Sequence, residues 1–261
     1  MKITALTENT AFNDNISAEH GLSLYIETEK HNILFDMGQT SLFAENAKKL
    51  GIDLTKVDIA VLSHGHYDHG GGLGKFLEIN KTAPIYINRY AFGDYYNGTE
   101  KYIGLDKSLQ NEKRIVFVDE VLEIDNKLCL YSCNSKIQNH YLGSFGLNMK
   151  CGGVFMPDEF KHEQYLLINE KGKSVLISGC SHKGVMDITE WFEPDVLVGG
   201  FHYSKLELDE KLKEYALTLA SHKTTYYTCH CTGTAQFEFM KKYMPQLSYL
   251  SCGESIVLLC V

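Results

Sequence analysis

The segment that decides how this sequence is interpreted is Ser63-His64-Gly65-His66-Tyr67-Asp68-His69-Gly70-Gly71-Gly72. It follows an apolar run, residues 59–63, which has the length and composition of a buried strand. Side chains two residues apart in an extended chain point the same way, so His64, His66 and Asp68 project from one side, while His69 swings round with the chain. Imidazole and carboxylate groups suit Zn, Mn or Fe, and the glycines let the backbone pack beside a metal. The segment therefore predicts two groups of metal ligands on one loop.

The pattern His64-x-His66-x-Asp68-His69 resembles the metal motif of the metallo-β-lactamase superfamily, and the similarity extends over nearly the whole chain. Asp36, in Leu34-Phe35-Asp36-Met37-Gly38, matches the acidic residue that supports the metal loop in those proteins. Further segments resemble a narrower branch, the dihydropteroate-synthase-like proteins. These segments are Glu19-His20-Gly21-Leu22-Ser23, Ser178-Gly179-Cys180-Ser181-His182, Gly199-Gly200-Phe201-His202 and His230-Cys231-Thr232-Gly233.

The resemblance implies an α/β fold, the αβ/βα four-layer sandwich, in which two mixed sheets pack together and helices cover the outer faces. The order of predicted elements supports this independently, because strands outnumber helices and the two halves of the chain have a similar succession of strands and helices. We predict helices over residues 40–50 and 206–221 and a closing strand over residues 255–260. Residues 90–104 have no regular pattern. No repeat or linker marks a boundary, so we expect a single domain over residues 1–261.

The resemblance also implies which side chains bind two metals, namely His64, His66, Asp68, His69, Cys180, His182 and His230. The first site would contain His64, His66 and His182, and the second would contain Asp68, His69 and His230. His162 is the alternative third ligand of the first site, because it precedes a strand at about the spacing of the superfamily's usual third histidine.

The cysteines near these histidines are predicted to have different roles. Cys180 stands where many hydrolases of the superfamily have an aspartate that bridges two metals, and a thiolate can also bind metal. Cys229 and Cys231 flank His230 and would face away from it in an extended chain, so both are expected to be packing residues.

By resemblance the protein is an enzyme, a metal-dependent hydrolase with two divalent metal ions. Zinc is the expected metal, with Mn or Fe as alternatives. A metal-bound hydroxide, oriented by Asp68, would attack a small ester, with phosphorylated and pterin-like esters as candidates. His202 and His20 are candidates for contact with the substrate, His202 in a catalytic role. Lys150, Arg89 and Lys183 are candidate anion contacts.

Other functions remain open at this point. One alternative is a synthase or lyase acting on a phosphorylated pterin-like or ribosyl substrate. Another is a mononuclear-iron thiol oxygenase on the same scaffold. A third is a non-catalytic binding protein, although the intact set of ligands argues against it.

The amino-acid composition argues against some classes of binding partner. With 33 acidic and 25 basic residues the net charge is −8, which argues against a nucleic-acid or anionic-membrane binder that uses a broad basic surface. No run of 18 apolar residues predicts a membrane span, and the first residues lack the apolar core of an export signal. The eight cysteines are scattered, which favours a reducing, cytoplasmic location. We therefore expect a small-molecule substrate, while the oligomeric state has no signal in the sequence.

Overall fold

Two seven-stranded sheets packed face to face form the centre of this protein. The computed structural model describes residues 1–258. Along these residues the strands are β1 (Lys2–Thr7), β2 (Ser23–Glu27), β3 (Asn32–Phe35), β4 (Ile59–Leu62), β5 (Ile85–Asn88), β6 (Tyr95–Asn97), β7 (Lys101–Tyr102), β8 (Ile115–Val118), β9 (Val121–Glu123), β10 (Leu128–Tyr131), β11 (Leu147–Cys151), β12 (Val154–Pro157), β13 (Tyr165–Glu170), β14 (Lys173–Ile177), β15 (Val196–Gly199), β16 (Thr225–Thr228), β17 (Leu247–Tyr249) and β18 (Ser255–Val257). The helices are α1 (Leu42–Lys49), α2 (Tyr67–Gly70), α3 (Leu73–Ile79), α4 (Val185–Phe192), α5 (Glu210–Ala220) and α6 (Thr234–Lys241), and short 3-10 turns lie at Leu54–Lys56, Lys107–Leu109 and His230–Thr232.

Both large sheets are mixed. The first has the order β18-β1-β2-β3-β4-β5-β8, and its strands from β3 to β8 run parallel. The second has the order β17-β16-β15-β14-β13-β10-β9, and its strands from β14 to β17 run parallel. The remaining pairs in both sheets are antiparallel. The predicted sandwich of two mixed sheets is confirmed.

Strand β4 shows how the sequence produces the layers. All four of its residues are buried, so neither face of the strand meets solvent. Ile59 and Val61 point into the core that the two sheets share, whereas Ala60 and Leu62 point the other way, into a cluster with helices α1 and α3. Helices α4, α5 and α6 cover the second sheet in the same manner. The result is four layers, in which the sheets pack against each other and each sheet packs against its own helices.

A small third sheet was not predicted. Its order is β12-β11-β6-β7, and it includes part of the stretch 90–104 that has no regular pattern in the sequence. Strand β6 pairs with β11, which places Asn97 opposite Leu147. Such short strands, paired across about fifty intervening residues, leave no local signal that distinguishes them from loops.

Some predicted boundaries need correction. The helix predicted over residues 206–221 begins at Glu210, because the Asp209 side chain accepts a hydrogen bond from the Leu212 backbone nitrogen at 3.1 Å and caps the helix there. The helix predicted over residues 40–50 is α1, which is shorter at both ends. The closing strand ends at Val257, and the last residues of the prediction, 259–260, lie outside the described residues. No helix within residues 1–258 has the length and apolar character needed to span a membrane.

The end of strand β15 is a point of very close packing. Gly199 has a φ of 146°, a conformation that L side chains rarely adopt. A Cβ atom at this position would lie 2.0 Å from the carbonyl oxygen of Ser178, the residue that follows the neighbouring strand β14. The two chain segments can therefore leave the sheet side by side only if residue 199 is glycine.

We predict that Gly199→Ala lowers the free energy of unfolding by about 2 kcal/mol or more, because backbone strain and a backbone clash act together. Denaturant titration measures this change. Gly153→Ala is the matched control, since Gly153 also has a positive φ, of 86°, but has nothing within 4 Å of its Cβ position. The control should lose only about 1 kcal/mol. Equal losses in the two variants would contradict the packing explanation.

Candidate metal centre

Loops that follow strands of both large sheets converge at one edge of the sandwich. They carry all seven predicted ligands, which are His64, His66, Asp68 and His69 after β4, Cys180 and His182 after β14, and His230 after β16. Every one of these side chains is buried, and Asp68 is the most exposed at 9%. Because both sheets contribute, the site is complete only when the sheets are packed against each other.

The first group of ligand atoms belongs to His64, His66 and His182, whose nitrogens lie within 4.8 Å of one another. The Nε2 atoms of His64 and His182 are 3.4 Å apart. The His182 ring stacks on Phe160, with the ring centres 4.3 Å apart, and this contact holds its orientation. The three side chains predicted for the first site therefore lie together.

His162, the alternative third ligand, has both ring nitrogens occupied by the protein. Its Nδ1 accepts a hydrogen bond from the Gly65 backbone nitrogen at 2.9 Å, and its Nε2 lies 3.0 Å from the Asp158 carboxylate. These contacts fix the loop that carries His64 and His66. His162 thus supports the ligand loop and offers no free nitrogen to a metal.

The second group contains Asp68, His69 and His230. His69 Nε2 lies 3.2 Å from His230 Nε2, and Asp68 Oδ2 lies 3.5 Å from the same His230 atom. Cys180 lies between the two groups, with its Sγ 3.2 Å from His69 Nε2 and within 4.8 Å of ligand atoms of His64 and His182. Cys180 would therefore be close to metals held by either group.

Burial and neighbouring charges set the protonation of these groups. Burial lowers the pKa values of His64 and His182 well below the usual histidine value, which leaves neutral imidazoles, the form that binds metal. Burial disfavours ionisation of Asp68, but His69 and His20 outweigh it and hold the pKa of Asp68 well below its usual range. His64 and His182 are therefore neutral nitrogen donors, and Asp68 is an ionised carboxylate.

Asp36 supports the ligand loop as predicted. Its buried carboxylate accepts hydrogen bonds from the backbone nitrogen and the hydroxyl of Ser63 and from His69 Nδ1, each at 2.7 Å. Burial would lower the pKa of His69, but Asp36 and Asp68 outweigh it and raise this pKa to about 9. The bond to Nδ1 leaves His69 Nε2 directed toward the other ligands.

Two further buried carboxylates, which the sequence interpretation missed, hold the other ligand loops. Glu8 accepts a hydrogen bond from the His230 backbone nitrogen at 3.0 Å, and Glu163 accepts one from the His182 backbone nitrogen at 2.7 Å. Asn9 Oδ1 lies 2.8 Å from His230 Nδ1 and turns Nε2 inward. Glu8 and Asn9 come directly after strand β1, as Asp36 comes after β3, and this position was the available signal.

Comparison with known proteins agrees with the geometry. The sequence profile described as the metallo-beta-lactamase superfamily matches residues 17–218. The chain belongs to the metallo-β-lactamase superfamily. The crystal structure of Tm1679, a metal-dependent hydrolase of the β-lactamase superfamily, superposes with a TM-score of 0.85 at 28% identity, over 99% of each chain.

Two proteins of Methanocaldococcus jannaschii are also similar to this superfamily member. One is 7,8-dihydropterin-6-methyl-4-(beta-D-ribofuranosyl)-aminobenzene-5'-phosphate synthase, 28% identical over 98% of this chain and 96% of its own length. The other is an uncharacterized protein, 29% identical over 88% of this chain and 90% of its own length. Similarity to this synthase is consistent with the narrower, dihydropteroate-synthase-like branch that the sequence motifs indicated.

Cys231 does not have the packing role that was expected for it. The chain after β16 does not stay extended, because residues 230–232 form a 3-10 turn in which His230 has a φ of 49°. Cys231 therefore faces the ligands, within 4.8 Å of ligand atoms of Cys180 and His230. Burial disfavours its thiolate, but contacts with Cys180 and His202 outweigh it and hold the pKa of Cys231 well below its usual range. Cys229 lies in the core between the sheets, as predicted.

Five of the seven predicted ligands line a cavity of about 290 Å³, namely His66, Asp68, Cys180, His182 and His230. His20 and His202, the predicted substrate-facing histidines, both line it. His20 Nε2 is 3.1 Å from Asp68 Oδ2, and the His202 ring centre is 4.2 Å from that of His182. A cavity of this volume is close to the lower end of the range for small-molecule sites in proteins.

The three lysine and arginine residues predicted as anion contacts lie elsewhere. Lys183 is buried, and its Nζ donates to the carbonyl oxygen of Ser132 at 2.6 Å. Arg89 pairs with Asp119 at 3.0 Å, and Lys150 lies over the ring of Phe155 in the third sheet.

The described cations that line the cavity are instead Lys101 and Lys205, both on exposed segments. Their positions depend on the third sheet and on the turn after His202, neither of which the sequence pattern revealed.

We predict that Asp36→Asn weakens zinc binding by about 10- to 100-fold, because His69 loses its charged partner. Competition against a chromophoric chelator measures the affinity. Asp125→Asn is the control, since Asp125 also pairs with a histidine, His31, at 3.0 Å but lies away from the centre. A loss of affinity no greater than in the control would contradict the supporting role of Asp36.

Proposed function

We propose that this protein is a hydrolase with a dinuclear centre, with zinc as the metal, that acts on a small anionic ester. Phosphorylated and pterin-like esters are the candidate substrates. The observation that carries the proposal is the pair of buried ligand groups, with Cys180 between them, beside a cavity of about 290 Å³. Membership of a superfamily composed mainly of metallo-hydrolases supports the same reaction class.

The residues present fit metal ions. His69 donates from Nδ1 to Asp36, and His230 donates from Nδ1 to Asn9, so the two Nε2 atoms face each other at 3.2 Å. A cation held between them would take the place of the proton that a pKa of about 9 keeps on His69. His66 Nε2 is buried and has no hydrogen-bond partner among residues 1–258, which also suits a metal ligand.

The protein's own groups have distinct roles in the proposed hydrolysis. Divalent metals, when bound, would supply Lewis acidity and lower the pKa of a water ligand. The ionised Asp68 accepts a hydrogen bond and so can orient the attacking water. His202 lines the cavity, and its ring centre lies 4.2 Å from that of His182. It is placed to donate a proton to the departing oxygen.

We predict that His66→Ala and Asp68→Ala each reduce turnover by at least about 100-fold, because each removes a ligand and not only a supporting contact. Elemental analysis of the purified protein first identifies the bound metal. A screen of phosphodiesters, phosphomonoesters, lactones and thioesters with that metal then identifies a substrate for the assay. His31→Ala is the control, since its partner Asp125 is remote from the centre. Unchanged turnover in either ligand variant, with circular dichroism like that of the control, would refute the proposal.

The charges around the cavity favour an anionic substrate. Among the described residues that line it, Asp68 is the only acidic one, and it belongs to the ligand group. Lys101 and Lys205 stand on the wall, where their Nζ atoms donate only to neutral oxygens, the Tyr67 hydroxyl at 3.3 Å and the Phe145 carbonyl at 3.0 Å. Neither contact neutralises the positive charge, so both lysines are available to a phosphate or carboxylate group.

We predict that Lys101→Met and Lys205→Met each raise KM for an anionic ester by about fivefold and leave kcat nearly unchanged, because an exposed ion pair contributes about 1 kcal/mol. The effect should shrink at high salt. Lys150→Met is the control, as Lys150 lies over Phe155 outside the cavity. An equal effect on a neutral ester would show that the lysines do not recognise charge.

A synthase acting on a phosphorylated pterin-like substrate is the second candidate, and the similarity to the M. jannaschii synthase favours it. Both candidates use the same cavity. Product analysis in ¹⁸O-labelled water separates them, because a hydrolysis product contains solvent oxygen and a synthase product joins two organic substrates. One tightly held iron per chain in the elemental analysis would instead favour the thiol oxygenase.

A further inference from the structure

The turn after strand β16 presents two donor atoms to the centre in place of one. His230 has left-handed backbone geometry, and so the next residue, Cys231, also lines the cavity. Only 7% of Cys231 is exposed. Its Sγ accepts a hydrogen bond from the His202 backbone nitrogen at 3.3 Å and lies 3.5 Å from the Cys180 carbonyl oxygen. The sulfur is thus held in one place from two sides.

A glycine in the neighbouring loop makes room for this sulfur. A Cβ atom on Gly200 would lie 2.3 Å from Cys231 Sγ, so a side chain at that position would displace the thiol. The Gly-Gly pair at the end of β15 therefore has two functions. Gly199 lets the chain pass Ser178, and Gly200 lets the sulfur sit beside the ligands.

The donor atoms lie close enough together to share one metal after small adjustments of their side chains. Around a tetrahedral zinc ion, nitrogen and sulfur ligands lie about 3.3 to 3.8 Å apart. His69 Nε2 is 3.2 Å from both His230 Nε2 and Cys180 Sγ, and Cys231 Sγ is within 4.8 Å of the ligand atoms of His230 and Cys180.

We propose that Cys231 is a sulfur ligand of the metal held by His69 and His230, beside the bridging Cys180. This inference rests on the metal centre proposed above. A pair of thiolates makes this position soft, which selects zinc or iron over magnesium and manganese. The sequence interpretation, which assumed an extended chain, had placed Cys231 on the opposite side.

Cobalt substitution tests the inference without any measurement of turnover. Protein stripped of metal is reloaded with Co²⁺, and sulfur-to-cobalt charge transfer is recorded in the near ultraviolet. Cys180→Ser and Cys231→Ser should each lose part of this absorption, and the double variant should lose all of it. Cys151→Ser is the control, because Cys151 is an exposed free thiol in the third sheet. Cys231→Ser should also bind zinc at least about tenfold more weakly.

A spectrum of Cys231→Ser that equals the control spectrum overturns the inference but leaves the dinuclear centre standing. Absence of cobalt binding by the unaltered protein overturns both. If Cys231→Ser does not fold, the unaltered protein decides the question by alkylation with iodoacetamide and mass spectrometry. Bound zinc should protect Cys231 while Cys151 reacts equally with and without metal. Equal labelling of Cys231 in both states counts against ligation.

Discussion

The buried carboxylate of Asp36 is the contact on which the centre depends. It joins the end of β3 to the loop after β4 through Ser63, and it orients His69. Glu8 and Glu163 have the same role in other loops, because each accepts a hydrogen bond from the backbone nitrogen of a predicted ligand. A carboxylate without partners would be too costly to bury, so these three positions are stable only when every loop is in place. The ligand loops and the packing of the sheets therefore form together.

Four of the nine non-glycine residues with positive φ in the described part of the chain lie in loops around the centre. Asp36, Ser181, His202 and His230 all have left-handed backbone geometry, with φ between 49° and 60°. Each such residue costs about 1–2 kcal/mol, which the surrounding hydrogen bonds and strands offset. The left-handed turn ends the alternation of side chains along the strand and lets adjacent residues face the same cavity. This is how the loop after β16 can present both His230 and Cys231.

The whole chain is acidic, whereas the wall of its cavity carries positive charge. The net charge of −8 disfavours a broad surface for nucleic acid, but it does not describe the cavity, whose wall carries Lys101 and Lys205. Bound divalent metals would add positive charge at the base. An acidic protein can therefore hold an anionic small molecule, because electrostatic attraction at short range depends on the groups that line the site.

The amino-acid sequence was enough to predict the fold class and most of the residues that the structure brings together in the candidate centre. The spacing from His64 to His69 and the polar residues that follow apolar strands are local patterns, and local patterns survive without knowledge of the fold. The tertiary structure was needed to see that both ring nitrogens of His162 are occupied, that Cys231 faces inward and that Lys101 and Lys205 line the cavity. Each depends on a turn that leaves regular geometry, or on strands paired across long stretches of chain, and neither has a periodic signal.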